Sequence, residues 1–287
     1  MSALEILESG PQSLLQDAGR VGWASIGVGR AGAADRSAYE LGARLVAHDP
    51  GLACLEITFG GLAARVHGSM TVVLTGADAQ ASVDGRPVAH DALLDLRDGQ
   101  VLRLGMPTAG LRTYLTVRGG WDVPPVLGSR STDTLSGLGP DPVTAGTLLR
   151  LGDYQGSYPN LDLAPVPLPA SGTVTLSVLP GPRTDWFADV DRLGERVWEV
   201  SERSNRIGLR LKGEALTRAP AYAEKEVPSE GMVRGAVQVP PDGQPVLFGN
   251  DHPVTGGYPV IAVVTSADMD RAAQLRPGQQ VHLRWAR

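Results

Sequence analysis

Cysteine and lysine are scarce in this 287-residue chain, and each scarcity excludes something. Cys54 is the only cysteine, so neither an intrachain disulfide nor a thiolate zinc cluster can form. Within Ala53-Cys54-Leu55-Glu56-Ile57 it reads as a small buried core residue. Lys212 and Lys225 are the only lysines, although Lys and Arg together number 26. The bias toward arginine is read first as a matter of genomic composition, and second as suiting planar contacts to carboxylate or phosphate. The formal net charge is -5 and no basic stripe recommends nucleic acid. No apolar run approaches bilayer length, and the start MSALEILESG lacks a basic n-region and a long apolar h-region. The expectation is a cytoplasmic protein with no membrane segment. His48, His67, His90, His252 and His282 never fall into HxH or HExxH spacing, so no metal is expected. A Gly-Lys-Ser or Gly-Lys-Thr triplet and a G-x-S-x-G elbow are both missing, which excludes a Walker nucleotide site and disfavours a self-contained serine hydrolase.

What is present is β structure. Hydrophobic residues make up 42% and charged residues 20%, enough apolar surface for one large β domain or, preferably, two ordinary ones. From about 53 to 155, short apolar runs are closed by turn signals. Examples are Thr71-Val72-Val73-Leu74, Ser82-Val83 with Asp84-Gly85, Leu93-Leu94-Asp95-Leu96 with Asp98-Gly99, Thr113 to Val117 with Gly119-Gly120, and Leu148 to Leu151. That rhythm indicates barrels or sandwiches. One helix precedes the strands, Asp35 to Ala47, with Asp35 as N-cap, Ala38, Leu41 and Leu45 at helical spacing, and Pro50 beyond its end. SYPNLDLAPVPLPASG, residues 157–172, is Pro-rich and aperiodic, which predicts a linker between domains at 1–160 and 172–287. The second half opens on a strand at Thr173 to Leu179, continues through a short helix at Asp185-Trp186-Phe187, and carries another helix near Ala267 to Leu275. The echo of Leu96-Arg97-Asp98-Gly99-Gln100 in Leu275-Arg276-Pro277-Gly278-Gln279 suggests two related units.

Four polar constellations could carry chemistry. Glycines 19, 22, 27, 29 and 32 form a backbone-rich loop from Gln16-Asp17 to the helix start at Asp35, a geometry that can bind an anion through amides. Equally, Asp17 and Arg20 could pair internally while Asp35 only caps. Gly128-Ser129-Arg130-Ser131-Thr132-Asp133 packs hydroxyls, a guanidinium and a carboxylate into one short run that could orient a carboxylate or amide. In Ser204-Asn205-Arg206-Ile207-Gly208-Leu209-Arg210-Leu211, an inward Ile207, Leu209 and Leu211 would send Arg206 and Arg210 to the opposite face together. Near the end, strands at Gly235 to Val239 and Val246 to Phe248 flank a Pro240-Pro241-Asp242-Gly243 turn. The polar stretch Asn250 to Pro259 follows, with a Gly256-Gly257 pair and no obvious packing purpose. It reads either as a ligand-approach loop or as a solvated hairpin loop. Glu230 and Asp251 lie beside glycine or turn residues, where an acid, base or orienter is accessible.

Taken in order, QDAGRVGWASIGVGRAGAAD at 16–35, LRTYLTVRGGWDVPPVLGSRSTD at 111–133, SNRIGLRL at 204–211 and the SEG to TGGYP stretch resemble the allophanate hydrolase subunit 2 family. That family is also called the biotin-dependent carboxyltransferase or Kip-antagonist (KipA) family, and the likeness covers nearly the whole chain. The resemblance implies a mainly β fold of two cyclophilin-like β-barrel domains with a few short helices. It implies an activity like that of the C subunit of bacterial 5-oxoprolinase, opening 5-oxo-L-proline to L-glutamate with ATP and two partners, the A and B subunits. The B partner would be KipI-like, similar to allophanate hydrolase subunit 1, and ATP would be bound with or by a partner. Within these blocks the polar clusters make Arg206, Glu230 and Asp251 the candidate catalytic groups, and Asp17, Arg20, Asp35, Arg130, Ser131, Thr132, Gln238, Thr255 and Tyr258 the candidate substrate contacts. The sequence departs from the family pattern at Gly29-Arg30-Ala31, Asn205 and His252-Pro253-Val254. Two other roles remain open: a biotin-dependent carboxyltransferase component of the urea carboxylase kind, and a non-catalytic partner of a KipI-like kinase inhibitor. Neither Lys212 nor Lys225 sits in a Met-Lys-Met context, so no covalent biotin is expected.

Overall fold

The computed structural model describes residues 2–49, 51–157 and 161–286, and the chain divides into two compact units. The first comprises Met1–Arg20, Ala31–Asp133 and Gly137–Pro169, and the second Val21–Arg30, Thr134–Ser136 and Ala170–Arg287. The passage from Pro169 to Ala170 falls in the Pro-rich stretch, of which residues 158–160 lie outside those described. Pro50, expected beyond the helix, lies outside them too. Val21–Arg30 and Thr134–Ser136 group with the second unit although no composition shift marks them in the sequence.

The first unit contains β1 (Ala3–Ser9), β2 (Gln12–Gln16), α1 (Arg36–Leu45), β3 (Cys54–Thr58), β4 (Leu62–His67) and β5 (Met70–Gly76). It continues with β6 (Ser82–Val83), β7 (Arg86–Pro87), β8 (Leu93–Leu96), β9 (Val101–Arg103), β10 (Arg112–Val117) and β11 (Leu148–Arg150). One sheet runs β11-β1-β4-β9-β6-β7 and the other β2-β3-β10-β5-β8. Alternate residues from both sheets meet in one core, including Leu4 and Ile6 of β1, Ala64 and Val66 of β4, Leu55 and Ile57 of β3, and Val72 and Leu74 of β5. Helix α1 packs on β5 and β10, its Ala38 and Tyr39 meeting Tyr114 while Leu41 and Leu45 meet Val73. Both faces of β10 are therefore covered, and all six of its residues are buried. Gly42 permits the approach, because a Cβ there would lie 2.6 Å from the Thr116 hydroxyl. Asp35 caps the helix as expected: its Oδ1 accepts from Ala38 N at 3.0 Å.

The second unit contains β12 (Val174–Pro180), α2 (Arg192–Glu195), β13 (Val197–Val200), β14 (Gly208–Lys212), β15 (Glu230–Gly231) and β16 (Ala236–Gln238). It is completed by β17 (Val246–Phe248), β18 (Thr255–Gly256), β19 (Val260–Val264), α3 (Met269–Ala273) and β20 (Gln280–Trp285). Seven strands close into a barrel in the order β12-β19-β16-β17-β14-β13-β20, while β15 and β18 form a separate ribbon. The seam between β12 and β20 is parallel, running from Val174 opposite Val281 to Val178 opposite Trp285, whereas the other barrel ladders are antiparallel. Leu176, Val237, Ile261, Val281 and Leu283 fill the interior, each stabilising the fold by roughly 1.5–3 kcal/mol. The Pro240 to Gly243 turn joins β16 to β17, with Gly243 N donating to Pro240 O at 3.0 Å.

The sequence echo has a geometric counterpart. Gly99 and Gly278 adopt φ of 80° and 81°. Each turn is closed by a glutamine side chain, Arg97 N donating to Gln100 Oε1 at 2.8 Å and Arg276 N to Gln279 Oε1 at 3.1 Å. The expected shared face of Arg206 and Arg210 is not formed. Arg206 precedes β14 and is 3% exposed, held inward where its carbonyl accepts from Asp251 N, whereas Arg210 points outward from the strand.

Candidate functional site

In the first unit, β2 delivers Asp17 into a buried polar hub. Its Oδ1 accepts from Gly19 N, Ser129 Oγ and Ser131 Oγ, each at 2.7 Å, and its Oδ2 accepts from Arg130 N at 2.5 Å. Ser131 Oγ also accepts from Asp17 N at 2.9 Å. A carboxylate held by four donors is an anchor for the loop 129–131 and has little capacity left for a ligand. Gly32 closes the same hub, since a Cβ there would lie 2.9 Å from Gly19 N. The internal pair between Asp17 and Arg20 does not form. Arg20 Nη2 donates instead to Ser131 O at 2.5 Å, and Nε and Nη1 have no partner among the described residues.

The amides at the end of the glycine loop, where it enters the helix, are engaged internally. Ala33 N donates to Asp17 O at 2.9 Å, Ala34 N to Glu56 Oε2 at 2.9 Å, and Asp35 N to Tyr114 Oη at 2.8 Å. An anion at these positions would have to compete with those internal bonds. Tyr114 Oη donates in turn to Glu56 Oε2 at 2.9 Å, and Arg112 Nε lies 3.4 Å from Glu56 Oε1. Burial first, then the Glu56 and Asp35 charges, raise the Tyr114 phenol well above its usual value, so it remains a neutral donor. Sequence reading missed Glu56 and Tyr114 because both sit in strands; a lone glutamate inside the apolar run 53–57 was the available signal. Arg130 spans two carbonyls, Nε to Val123 O at 2.8 Å and Nη1 to Gly51 O at 2.6 Å. Thr132 Oγ1 donates to Pro140 O at 2.8 Å.

In the second unit, Arg206 and Asp251 make a side-on pair. Nε donates to Oδ2 and Nη2 to Oδ1, both at 2.9 Å, with side chains 1% and 0% exposed. Thr134 adds two bonds to Asp251 Oδ2, from N at 3.0 Å and Oγ1 at 2.6 Å. Burial pushes the Asp251 carboxyl up, but the Arg206 charge and the Arg206 and Thr134 hydrogen bonds outweigh it and hold the carboxyl below its usual value. The head of the Asn250 to Pro259 stretch thus has a packing purpose: Asn250, Asp251 and His252 are buried. Asn250 Oδ1 accepts from Arg234 Nε at 2.8 Å, and Arg234 Nη2 donates to Asp270 at 3.1 Å. Burial first, then the Arg234 charge, lower the Arg30 guanidinium from its usual value.

Glu230 lies on the β15–β18 ribbon, opposite Gly256, and its carboxylate engages Arg183. Both side chains reach solvent, at 25% and 30% exposure. The Arg183 guanidinium sits 5.4 Å from the Trp186 ring centre, and Trp186 stacks on Tyr222 at 4.7 Å. An open cleft of about 1010 Å³ lies nearby in sequence, lined by Arg218, Lys225, Pro240 and Tyr258. Thr255 lies on the ribbon, while Gln238 is buried in β16. The expected residues thus fall into separate groups: Asp17, Ser131 and Arg20; Arg206 with Asp251; Glu230 with Arg183. Arg183, Trp186 and Arg234 gave no motif in the sequence. Among the described residues no three His, Cys, Asp or Glu side chains group to hold a metal, and no helix is long and apolar enough to cross a membrane.

These arrangements occur in a chain with close relatives. It is 38% identical over 285 residues to the C subunit of 5-oxoprolinase from Escherichia coli (strain K12), covering 97% of this chain and 90% of that protein. It is 30% identical to urea amidolyase of Saccharomyces cerevisiae, covering 98% of this chain and 16% of that much longer protein. The crystal structure of K. lactis urea amidolyase superposes with a TM-score of 0.91 at 28% identity, over 98% of this chain and 18% of that one. The model of the carboxyltransferase domain, subdomain A and B, matches residues 26–285, which takes in the Arg206–Asp251 pair, the Glu230 ribbon and the barrel. With near-full-length identity to the Escherichia coli protein on one side and this domain match on the other, the chain belongs to the carboxyltransferase domain, subdomain A and B, family.

Proposed function

We propose that the chain is the C-type component of an ATP-dependent 5-oxoprolinase, opening 5-oxo-L-proline to L-glutamate together with A-type and B-type partners and inactive alone. The observation that carries this reading is the 38% identity to the Escherichia coli protein over 90% of that protein's length. A ring amide is resonance-stabilised, so its opening calls for ATP to activate it, with the developing charge met by preorganised donors. This chain lacks a nucleotide motif, and the amides of Gly19, Ala34 and Asp35 are engaged internally, which supports ATP binding on a partner. Within this chain, Glu230 with Arg183, beside Trp186, is a solvent-reaching carboxylate–guanidinium pair suited to orient a reacting group. Arg206 and Asp251, sealed against each other, position the loops around them.

The likeness to K. lactis urea amidolyase supports a second reading, carboxyl transfer to a urea-like amide with biotin on a separate carrier. Assaying the purified chain alone and then with homologues of the A and B partners, following glutamate and ADP, separates the two. The expected result is silence from the single chain and turnover from the set. Turnover by the chain alone overturns dependence on partners, and carboxylation of urea when a biotinylated carrier, its biotin carboxylase, ATP and bicarbonate are supplied, without 5-oxoproline turnover, replaces the first reading by the second.

A further inference from the structure

Arg20 is 2% exposed, yet two of its three guanidinium nitrogens have no hydrogen-bond partner among the described residues. The guanidinium bonds through Nη2, which donates to Ser131 O. No carboxylate of the described residues forms an ion pair with it, and Asp17, three positions earlier, has both oxygens taken by other donors. The backbone closes in tightly: a Cβ on Gly139 would lie 3.0 Å from Arg20 Nη2 and 2.0 Å from Ser131 O. A buried guanidinium with two nitrogens unbonded is an unfavourable arrangement, and native proteins normally pair such a group directly; here the buried Asp17 carboxylate is linked to it only through Ser131, whose carbonyl accepts from Arg20 and whose hydroxyl donates to Asp17. Arg206, in the second unit, shows the usual solution, a carboxylate on its side-on edge.

We propose that Arg20 is the cationic half of an internal oxyanion site in the first unit, completed by the carboxylate or phosphoryl group of a small-molecule ligand. The shared chemistry is a compact oxyanion that accepts from Nε or Nη1, next to a loop whose shape is set by Asp17, Ser129 and Ser131. Because both nitrogens are sealed from solvent, the ion enters by a local opening of the surrounding loops. The site stands whether or not the chain belongs to a 5-oxoprolinase, since it rests on the stranded cation and not on the reaction.

The test uses the full chain and binding alone. Isothermal titration and thermal unfolding are run with inorganic phosphate in one arm, 5-oxoproline and acetate in another, and sodium chloride at matched ionic strength as control. Saturable binding in the phosphate arm assigns a phosphoryl group, and in the carboxylate arm a carboxylate; chloride produces neither. Arg20→Met removes the charge and keeps the volume. It is expected to unfold at the same or a higher temperature than the parent in buffer, and to weaken anion binding on the order of tenfold or more. Arg20→Gln serves as the second variant should Met fail to fold. The proposal is overturned if neither anion binds the parent chain saturably. It is overturned equally if the variants bind as the parent does, or if Arg20→Met unfolds at a lower temperature with no change in anion response, the signature of a structural arginine bridged by water.

Discussion

Arg206 and Asp251 show how little a residue's type says about its task. Both stand among polar, turn-forming neighbours in the sequence, where an accessible catalytic pair is the natural expectation, yet they are sealed against each other across 45 positions. Burial was not legible because the sequence does not reveal which distant loop supplies the counter-charge. Asp251→Asn should therefore cost about 3–5 kcal/mol in urea unfolding at neutral pH, since it leaves Arg206 charged and buried. The double change Arg206→Met with Asp251→Leu should recover most of that loss. The pH dependence follows from the depressed Asp251 value. Its contribution is present above the unfolded carboxyl value near 4 and is lost as pH falls through the lower folded value. The parent should lose stability steeply below about pH 4, and Asp251→Asn should flatten that limb. An equally steep limb in the variant would place the acid sensitivity elsewhere.

At the scale of elements, period-two patterning made β5, β8, β10 and β12 legible, and capping chemistry located α1. The ribbon strands β15 and β18, two residues each, carry no period and were invisible. The turns around Gly99 and Gly278 were legible as an echo and share a glutamine clasp in three dimensions. A Cβ at either position meets no atom within 4 Å, so only the left-handed backbone opposes a side chain there. Gly99→Ala and Gly278→Ala should each cost about 1 kcal/mol, alike within error in urea titrations. Gly10→Ala should cost clearly more, because its Cβ would lie 2.1 Å from Gly60 O in addition to the left-handed φ of 67°. Unequal losses at 99 and 278 would show that the clasps bear on stability differently.

For the molecule as a whole, the mainly β class and the family were legible because long motif blocks recur in order. The grouping of Val21–Arg30 and Thr134–Ser136 with the second unit was not, because it depends on packing between segments distant in sequence and not on composition. Biotin provides a whole-chain test. Lys212 projects from β14 in a Leu-Lys-Gly context and Lys225 lies 5.0 Å from the Tyr222 ring centre, so neither resembles a carrier lysine. Intact-mass measurement after co-expression with a biotin ligase should return the unmodified mass, and an added biotinyl group would contradict this. The parallel seam of the barrel has a consequence for how the protein is made. β12 is the first of the seven barrel strands to leave the ribosome and β20 the last, yet the two must pair for the cylinder to shut. At usual elongation rates β12 waits roughly 5–20 s for its partner. During that interval its open edge is a surface on which a ribosome-associated chaperone, or a neighbouring nascent chain on the same message, can act.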